Sequence, residues 1–129
     1  MISAKDLCGH FESICDYTPI LESFGHIAII YDEDDCQGDS WVLYDVDNMI
    51  GFLNFGWGSC SGCDSLLACE SFEDVDNLIA ELHDGIKWFD SKSEALKWFK
   101  DHDWEGDYCW DIPEFRLFLR DAIEFLSKK

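Results

Sequence analysis

Residues 26–55 read HIAIIYDEDDCQGDSWVLYDVDNMIGFLNF, and they decide the fold class of this chain. Three runs in this stretch are rich in β-branched and aromatic residues, which favours β-strands. These predicted strands cover 26–31, 41–45 and 50–55. Asp47 and Asn48 lie between the second and third runs and are typical of a tight hairpin turn. The stretch therefore predicts an antiparallel meander.

Helical patterns flank the meander on both sides. Each combines a capping residue with apolar residues at intervals of three and four, which is typical of a helix with one buried face. The predicted helices cover 4–15, 71–84, 91–99 and 113–126, with a single helical turn near 18–25 and a short strand over 86–89. The fold class that follows is α+β: a small antiparallel sheet of three to four strands packed against about four helices, which we expect on one face of the sheet.

The length and composition of the chain predict one folded domain over residues 1–129. Of its 129 residues, 47% are hydrophobic and 16% aromatic, enough for one core and too few residues for two ordinary domains. Six tryptophans and ten phenylalanines oppose disorder. The first residues do not show the basic and then apolar pattern of an export leader, and no apolar run of about 18 residues occurs, so we expect a cytoplasmic protein outside the membrane.

The charge of the chain is strongly one-sided. Asp and Glu number 28 against 9 Lys and Arg, for a formal net charge of -19. Between Asp6 and Ile86 there is no lysine or arginine, whereas 18 of the acidic residues fall in that span. An ordinary soluble surface mixes both signs. Such a field repels nucleic acid and anionic membranes and attracts basic proteins, which predicts a basic protein partner.

The stretch GWGSCSGCDSLLACE, residues 56–70, contains three of the seven cysteines. Cys60 and Cys63 have the C-x2-C spacing of a zinc knuckle, and Cys69 is a candidate third ligand. The fourth ligand would be Cys36, Cys109 or a histidine. No second C-x2-C pair accompanies the first, so a structural loop with reduced thiols remains open beside the zinc site.

Other chemistries find less support in the sequence. Thiol redox activity needs a stabilised thiolate, but Asp64 adjoins Cys63 and no basic residue lies within twenty positions of it. The acidic run 32–35 does not fit an EF-hand loop, because Gly38 is misplaced and no glutamate closes the frame. No nucleophile elbow or zinc-protease motif is present. We therefore expect a protein that is not an enzyme.

We expect the acidic residues to form the surface that binds the partner protein. Residues 101–111 read DHDWEGDYCWD without a helical period, so we expect a structured loop or an irregular edge strand. In an extended chain alternate residues point the same way about every 6.6 Å, so their acids would form a row. The phosphates of one DNA strand are roughly 3.4 Å apart along the helix axis, so acids at about twice that spacing would match every second phosphate. The candidate partner-binding residues are Asp32, Glu33, Asp34, Asp35, Asp101, Asp103, Glu105 and Asp107, with Trp104 and Trp110 as aromatic anchors.

Two segments carry a resemblance to other proteins. They are NFGWGSCSGCDSLLACES, residues 54–71, and IKWFDSKSEALKWFKDHDWEGDYCW, residues 86–110. With them the chain resembles, from about residue 26 to 111, small acidic proteins of phages and prophage-bearing bacteria that share G-S-C-S-G-C-D and H-D-W-E-G-D-Y-x-W. The resemblance implies a phage setting and carries over no catalytic residue. It also implies a general similarity to anti-CRISPR and anti-restriction inhibitors, several of which imitate DNA.

Charge and resemblance together predict a non-enzymatic, phage-encoded inhibitor. It would bind a nucleic-acid-handling defence protein of the host, of CRISPR or restriction type, and block its nucleic-acid groove by DNA mimicry. It would bind neither nucleic acid nor a membrane directly. Two alternatives stay open: an immunity protein against a nuclease toxin, and a small zinc protein that uses Cys60, Cys63 and Cys69.

Overall fold

The computed structural model of the chain describes residues 17–33, 38–57, 69 and 71–128. Within these ranges four antiparallel strands follow one another in the sheet: β1 (Ile27–Asp32), β2 (Gly38–Val46), β3 (Met49–Trp57) and β4 (Lys87–Phe89). The four helices are α1 (Thr18–Ser23), α2 (Phe72–Asp84), α3 (Lys92–Asp101) and α4 (Pro113–Ser127). The predicted α+β class is confirmed. The predicted helix over 4–15 lies outside the described residues.

The hairpin between β2 and β3 sets the register of the sheet. Asp47 and Asn48 both have left-handed backbones, with φ of 50° and 70°, and they connect the paired residues Val46 and Met49. Positive φ at both central residues defines a type I′ turn, whose twist matches that of the flanking strands. The predicted turn is confirmed.

The central strand β2 is buried on both faces, which decides where the helices lie. Val42 and Tyr44 pack into a core cluster with residues of α1 and α2, whereas Trp41 and Leu43 pack into a second cluster with residues of α3 and α4. The prediction that the helices cover one face is therefore wrong. A run of four consecutive apolar residues is the pattern of a strand that is covered on both sides.

A bulge in β1 lets that strand contribute to both clusters. Ile27 pairs with Tyr44 and Ile29 pairs with Leu43, so Ala28 is an extra residue on the β1 side. Without the bulge Ile27 and Ile29 would share a face, because side chains alternate along a strand. With it, Ile27 packs on the α1–α2 cluster and Ile29 on the α3–α4 cluster.

The helices begin where the sequence predicts. The Ser71 side chain accepts a hydrogen bond from the Asp74 amide at 3.2 Å, and the Ser91 side chain accepts one from the Glu94 amide at 3.2 Å. These N-caps satisfy backbone donors that the first turn of a helix leaves unpaired. None of the helices in the described ranges has the length and apolar character needed to cross a membrane.

Gly51 of β3 is required by ring packing across the sheet. Its register partners are Tyr44 on β2 and Trp88 on β4, whose ring centroids lie 6.2 Å apart above the glycine. A Cβ atom at Gly51 would lie 2.8 Å from the Trp88 ring and 2.9 Å from Ile86. We expect Gly51→Ala to reduce the free energy of unfolding by about 1–3 kcal/mol, as overpacked cores do.

Urea denaturation of the two glycine variants measures this effect. Gly56→Ala is the matched control, because the atoms nearest to a Cβ there in the described structure are a carboxylate oxygen of Asp39 at 3.3 Å and a carbonyl oxygen at 3.7 Å, farther away than the neighbours at Gly51. Equal stability losses in Gly51→Ala and Gly56→Ala would contradict the packing of Tyr44 and Trp88 over Gly51.

A tether joins β1 to α4 and makes stability depend on pH. The Tyr31 hydroxyl donates to the Asp121 carboxylate, which also accepts from Arg120 at 3.1 Å. The hydrogen bond from Tyr31 lowers the pKa of Asp121, and the same bond raises the pKa of Tyr31. A carboxyl group with a lowered pKa stabilises the fold above its unfolded value of about 3.9, and this contribution is lost as the pH falls through the folded pKa.

We therefore expect Tyr31→Phe to lower the melting temperature at neutral pH and to have a smaller effect in acid, as the pH falls through the folded pKa of Asp121 and the acceptor becomes uncharged. Thermal unfolding of both proteins, followed by circular dichroism across this range, measures the difference. A difference that stays constant with pH would show that the contribution of the Tyr31 hydroxyl does not depend on the charge of Asp121, and would contradict the tether as the cause of the pH dependence.

Candidate protein-interaction surface

The layer formed by α1, α2 and the end of β1, which we call the acidic layer, exposes acids of one sign. In the described residues of this layer there is no lysine or arginine. Seven carboxylates lie on its surface, and all seven are exposed: Glu22, Asp32, Glu73, Asp74, Asp76, Glu81 and Asp84. The acidic layer therefore presents a field that no lysine or arginine of α1 or α2 weakens.

The opposite side of the sheet, which we call the mixed layer, contains α3, α4, the turns between these two helices and the Lys87 side chain of β4, which lies over the Trp98 ring of α3. Its described cations are Lys87, Lys92, Lys97, Lys100, Arg116, Arg120 and Lys128. Ion pairs form within it, such as Arg120 with Asp121 at 3.1 Å and Lys128 with Glu124 at 3.9 Å. The sheet thus separates a surface with one sign of charge from a surface with both.

Helix stability alone does not explain the acids on α2. Glu73 and Asp74 lie in its first turn, where the helix dipole favours negative charge. Glu81 and Asp84 lie in its last turn, where the same dipole disfavours it. Carboxylates at the C-terminal end therefore oppose the dipole, which is consistent with a role outside the helix.

Two of the sequence-predicted binding residues join β1 to β2 near the end of β1 and the start of β2. Asp32 accepts a hydrogen bond from the Ser40 hydroxyl at 2.5 Å, and that hydroxyl accepts from the Trp57 indole at 2.8 Å. The Glu33 carboxylate accepts from the Asp39 amide at 3.0 Å. Asp32 and Glu33 therefore have structural partners within the sheet. Asp34 and Asp35 lie outside the described residues.

The predicted acidic row over 101–107 does not exist as an extended edge. Residues Trp104–Gly106 and Tyr108–Asp111 form two 3-10 turns. The Asp103 carboxylate accepts from the Gly106 amide at 3.3 Å, and the Asp107 carboxylate accepts from the Cys109 amide at 3.0 Å. Side chains in 3-10 turns do not alternate as they do in a strand, so the predicted geometry is wrong.

The remaining acids of that row differ in their surroundings from Asp103 and Asp107. Asp101 ends α3 and Glu105 lies inside the first 3-10 turn, and both side chains are exposed. They also lie in the mixed layer, close in sequence to Lys97 and Lys100. The two acids therefore remain candidate contacts, but on a surface that carries cations.

The predicted aromatic anchors are largely core residues. Trp104 is 9% exposed, packs against Phe99 and Phe115, and donates its indole N–H to the Phe99 carbonyl at 2.8 Å. Its prediction as an exposed anchor is therefore wrong. Trp110 is half-buried against the same cluster. The exposed aromatic here is Tyr108, 65% exposed, whose hydroxyl donates to Asp39 at 2.8 Å.

Partial burial and the Asp39 carboxylate together make the Tyr108 hydroxyl harder to deprotonate, because both raise its pKa. The pKa of Tyr108 is raised above its ordinary value. Desolvation of the hydroxyl is the largest cause, and the hydrogen bond to Asp39 is the next. Tyr108 therefore stays a neutral hydrogen-bond donor. Its side chain links the turns after α3 to the sheet.

The structure places two candidate zinc ligands on opposite faces of the sheet. Cys69 is half-buried against the α1–α2 cluster, whereas Cys109 is 4% exposed within the α3–α4 cluster. Cys109 is therefore wrong as the fourth ligand in a site with Cys69. Burial raises the pKa of the Cys109 thiol, as expected for a core cysteine. Cys36, Cys60 and Cys63 lie outside the described residues, within which no three metal-binding side chains come together.

The chain matches none of the protein-family models, curated proteins or solved structures with which we compared it. A functional assignment therefore rests on the charge distribution and the geometry of the two layers.

The Ser40 hydroxyl has a stability role that a single substitution tests. Ser40 is 2% exposed, so Ser40→Ala leaves the Trp57 indole and the Asp32 carboxylate without the hydroxyl that joins them. We expect a loss of about 1–3 kcal/mol in the free energy of unfolding, measured by urea denaturation. Ser127→Ala is the matched control, because that hydroxyl donates to the Ile123 carbonyl at an exposed position. Equal losses would contradict a special role for Ser40.

Proposed function

We propose that this protein is a non-enzymatic inhibitor that binds a basic, nucleic-acid-handling protein and blocks its nucleic-acid groove by imitating DNA. The observation that supports the proposal is the acidic layer, in which seven exposed carboxylates lie on one side of the sheet with no described lysine or arginine. A groove that binds phosphates is lined by cations, so it is complementary to such a surface.

The spacing of charge on α2 supports the comparison with DNA. From Glu73 to Asp84 the helix rises about 16 Å, at roughly 1.5 Å per residue. One DNA strand spans the same length with about five phosphates, at roughly 3.4 Å each. α2 carries five acids over this distance: Glu73, Asp74, Asp76, Glu81 and Asp84. The linear charge density of the helix surface is therefore close to that of a single strand.

The proposed partner is a defence protein of CRISPR or restriction type in the cytoplasm of a bacterial host, as the resemblance to phage proteins implies. The protein itself would contact neither nucleic acid nor a membrane, since its field repels both. An immunity protein against a nuclease toxin would use the same surface. The identity of the captured partner distinguishes these two inhibitors.

Neutralisation of each layer in turn tests the proposal. The first variant combines Glu22→Gln, Glu73→Gln, Glu81→Gln and Asp84→Asn in the acidic layer. The second, with the same change in net charge, combines Asp101→Asn, Glu105→Gln, Asp111→Asn and Glu124→Gln in the mixed layer. All eight side chains are exposed, so both variants are expected to fold.

The parent protein, immobilised as bait, captures its partner from host lysate at low salt, and the partner is released at high salt. Fluorescence anisotropy then measures how well each variant displaces labelled DNA from that partner. We expect the acidic-layer variant to displace DNA about 10- to 100-fold less well, with the mixed-layer variant close to the parent protein. The reverse order would place the binding surface at residues 101–111. A captured partner that binds no nucleic acid would contradict the proposal.

The zinc alternative is measured on the same preparation. A content of about one zinc ion per chain, together with unfolding when a chelator removes the zinc, would identify a structural metal site that uses Cys60, Cys63 and Cys69. Such a site is compatible with an inhibitory surface, because none of the candidate cysteine ligands is a carboxylate of the acidic layer.

A further inference from the structure

The outer edge of β1 presents backbone groups that pair with no strand of the described residues. The Glu33 amide donates to the Asp39 carbonyl at 3.0 Å, so this is a hydrogen-bonded pair of the antiparallel ladder. Such pairs alternate along the strands, so Tyr31 and Ile29 also direct their N–H and C=O toward β2. Ile30 and Asp32 direct theirs away from it. In the described part of the chain no strand pairs with that edge.

A groove runs beside the same edge, between α1 and β1. Its volume is about 600 Å³, and Leu21, Ile27 and Ile30 form its apolar wall. Ile30 is 42% exposed, whereas every other isoleucine in the described residues is buried or half-buried. Glu22 and Asp32 are the acidic residues of the groove, and its described lining residues include no lysine or arginine. Ile30 and Asp32 pair with Val42 and Ser40, which places the groove on the acidic-layer side of the sheet.

We propose that this edge and groove bind an extended segment of the partner, which adds a fifth strand to the sheet beside β1. The inference rests on the proposed function, since it assigns to the basic partner the means by which it is held. Backbone hydrogen bonds to Ile30 and Asp32 would supply affinity, and the groove would select alternate side chains.

Charge complementarity identifies the occupant as basic. In a second copy of this chain the incoming strand would carry the same acids, and two proteins of net charge -19 repel each other. Natural edge strands use charges and bulges to prevent such pairing, and here Asp32 and the bulge at Ala28 bound the free edge. The same acids attract a strand with basic residues, so they exclude one partner and favour another.

The geometry also specifies the pattern of the added strand. Directly paired residues share a face of the sheet, so the residue opposite Ile30 would enter the groove next to its apolar wall. The residue opposite Asp32 lies on the same face and meets its carboxylate. The matching segment therefore has an apolar residue in the groove and a basic residue two positions away.

A synthetic peptide tests this pattern. The probe has seven residues, TKTVTKT, with blocked ends, so that lysine, valine and lysine share one face of the extended peptide. Its comparison peptide is methylated on the backbone nitrogen of the valine, which removes a donor to β1 and leaves the charge unchanged. We expect the methylated peptide to bind at least about tenfold more weakly, as judged by titration at low ionic strength.

Matched variants of the protein give a second measurement. Ile30→Lys places a cation in the groove, whereas Leu117→Lys makes the same charge change at a side chain of α4 that is 41% exposed. We expect Ile30→Lys to bind the TKTVTKT peptide about tenfold more weakly and Leu117→Lys to bind it like the parent protein. Amide spectra of the two variants verify that both are folded.

Hydrogen exchange locates the contact. In the free protein the Ile30 and Asp32 amides should exchange faster than those of Tyr31 and Glu33, and the peptide should slow them. Equal binding of both peptides, or of Ile30→Lys and Leu117→Lys, would overturn strand addition. So would the absence of any binding. The DNA-displacement assay would still decide the proposed function in each of these cases, because it does not depend on the peptide.

Discussion

Burial of β2 on both faces is the constraint on which the rest of this structure depends. Residues 41–44 form a continuous apolar run at the centre of the sheet, and each is fully buried. A sheet with two apolar faces needs a helical layer on each side, because neither face is stable against water. The chain supplies α1 and α2 to one face and α3 and α4 to the other. The distribution of charge on the two helical layers follows from this division.

The division also converts a pattern along the sequence into a pattern in space. α1 and α2 come from the span between Asp6 and Ile86, which has no lysine or arginine, whereas α3 and α4 come from the part that contains nearly all the cations. The sheet keeps the two groups apart, so the acids of the first group are not neutralised by the cations of the second. The outer edge of β1, with which no described strand pairs, borders the acidic layer, so that its backbone groups lie beside charges of one sign.

The sequence allowed the local features to be predicted, because their causes are local. The three strands, the turn at Asp47 and Asn48 and the caps at Ser71 and Ser91 each depend on residues close together in the chain. The face of the sheet on which each helix packs could not be predicted in the same way, because it depends on contacts between residues far apart in the chain. The apolar run 41–44 was the signal for two-sided burial.

The candidate site was predicted less well for a related reason. The acids and aromatics of 101–111 alternate in the sequence, but 3-10 turns direct Trp104 inward and bring Asp103 and Asp107 to backbone amides. Local capping and tertiary burial of this kind leave no periodic pattern. The absence of cations over 6–86 was visible in the sequence, and only the fold shows that α1 and α2, the described helices of this span, lie on the same side of the sheet.

The most direct measurement of the central claim is the surface potential at each amide, obtained by NMR from relaxation enhancement by cationic and anionic paramagnetic co-solutes. A layer of one-signed charge concentrates the cationic co-solute. Our account requires a ratio of cationic to anionic enhancement that is higher along α2 and the outer edge of β1 than along α3 and α4. Equal ratios on the two sides of the sheet would contradict it.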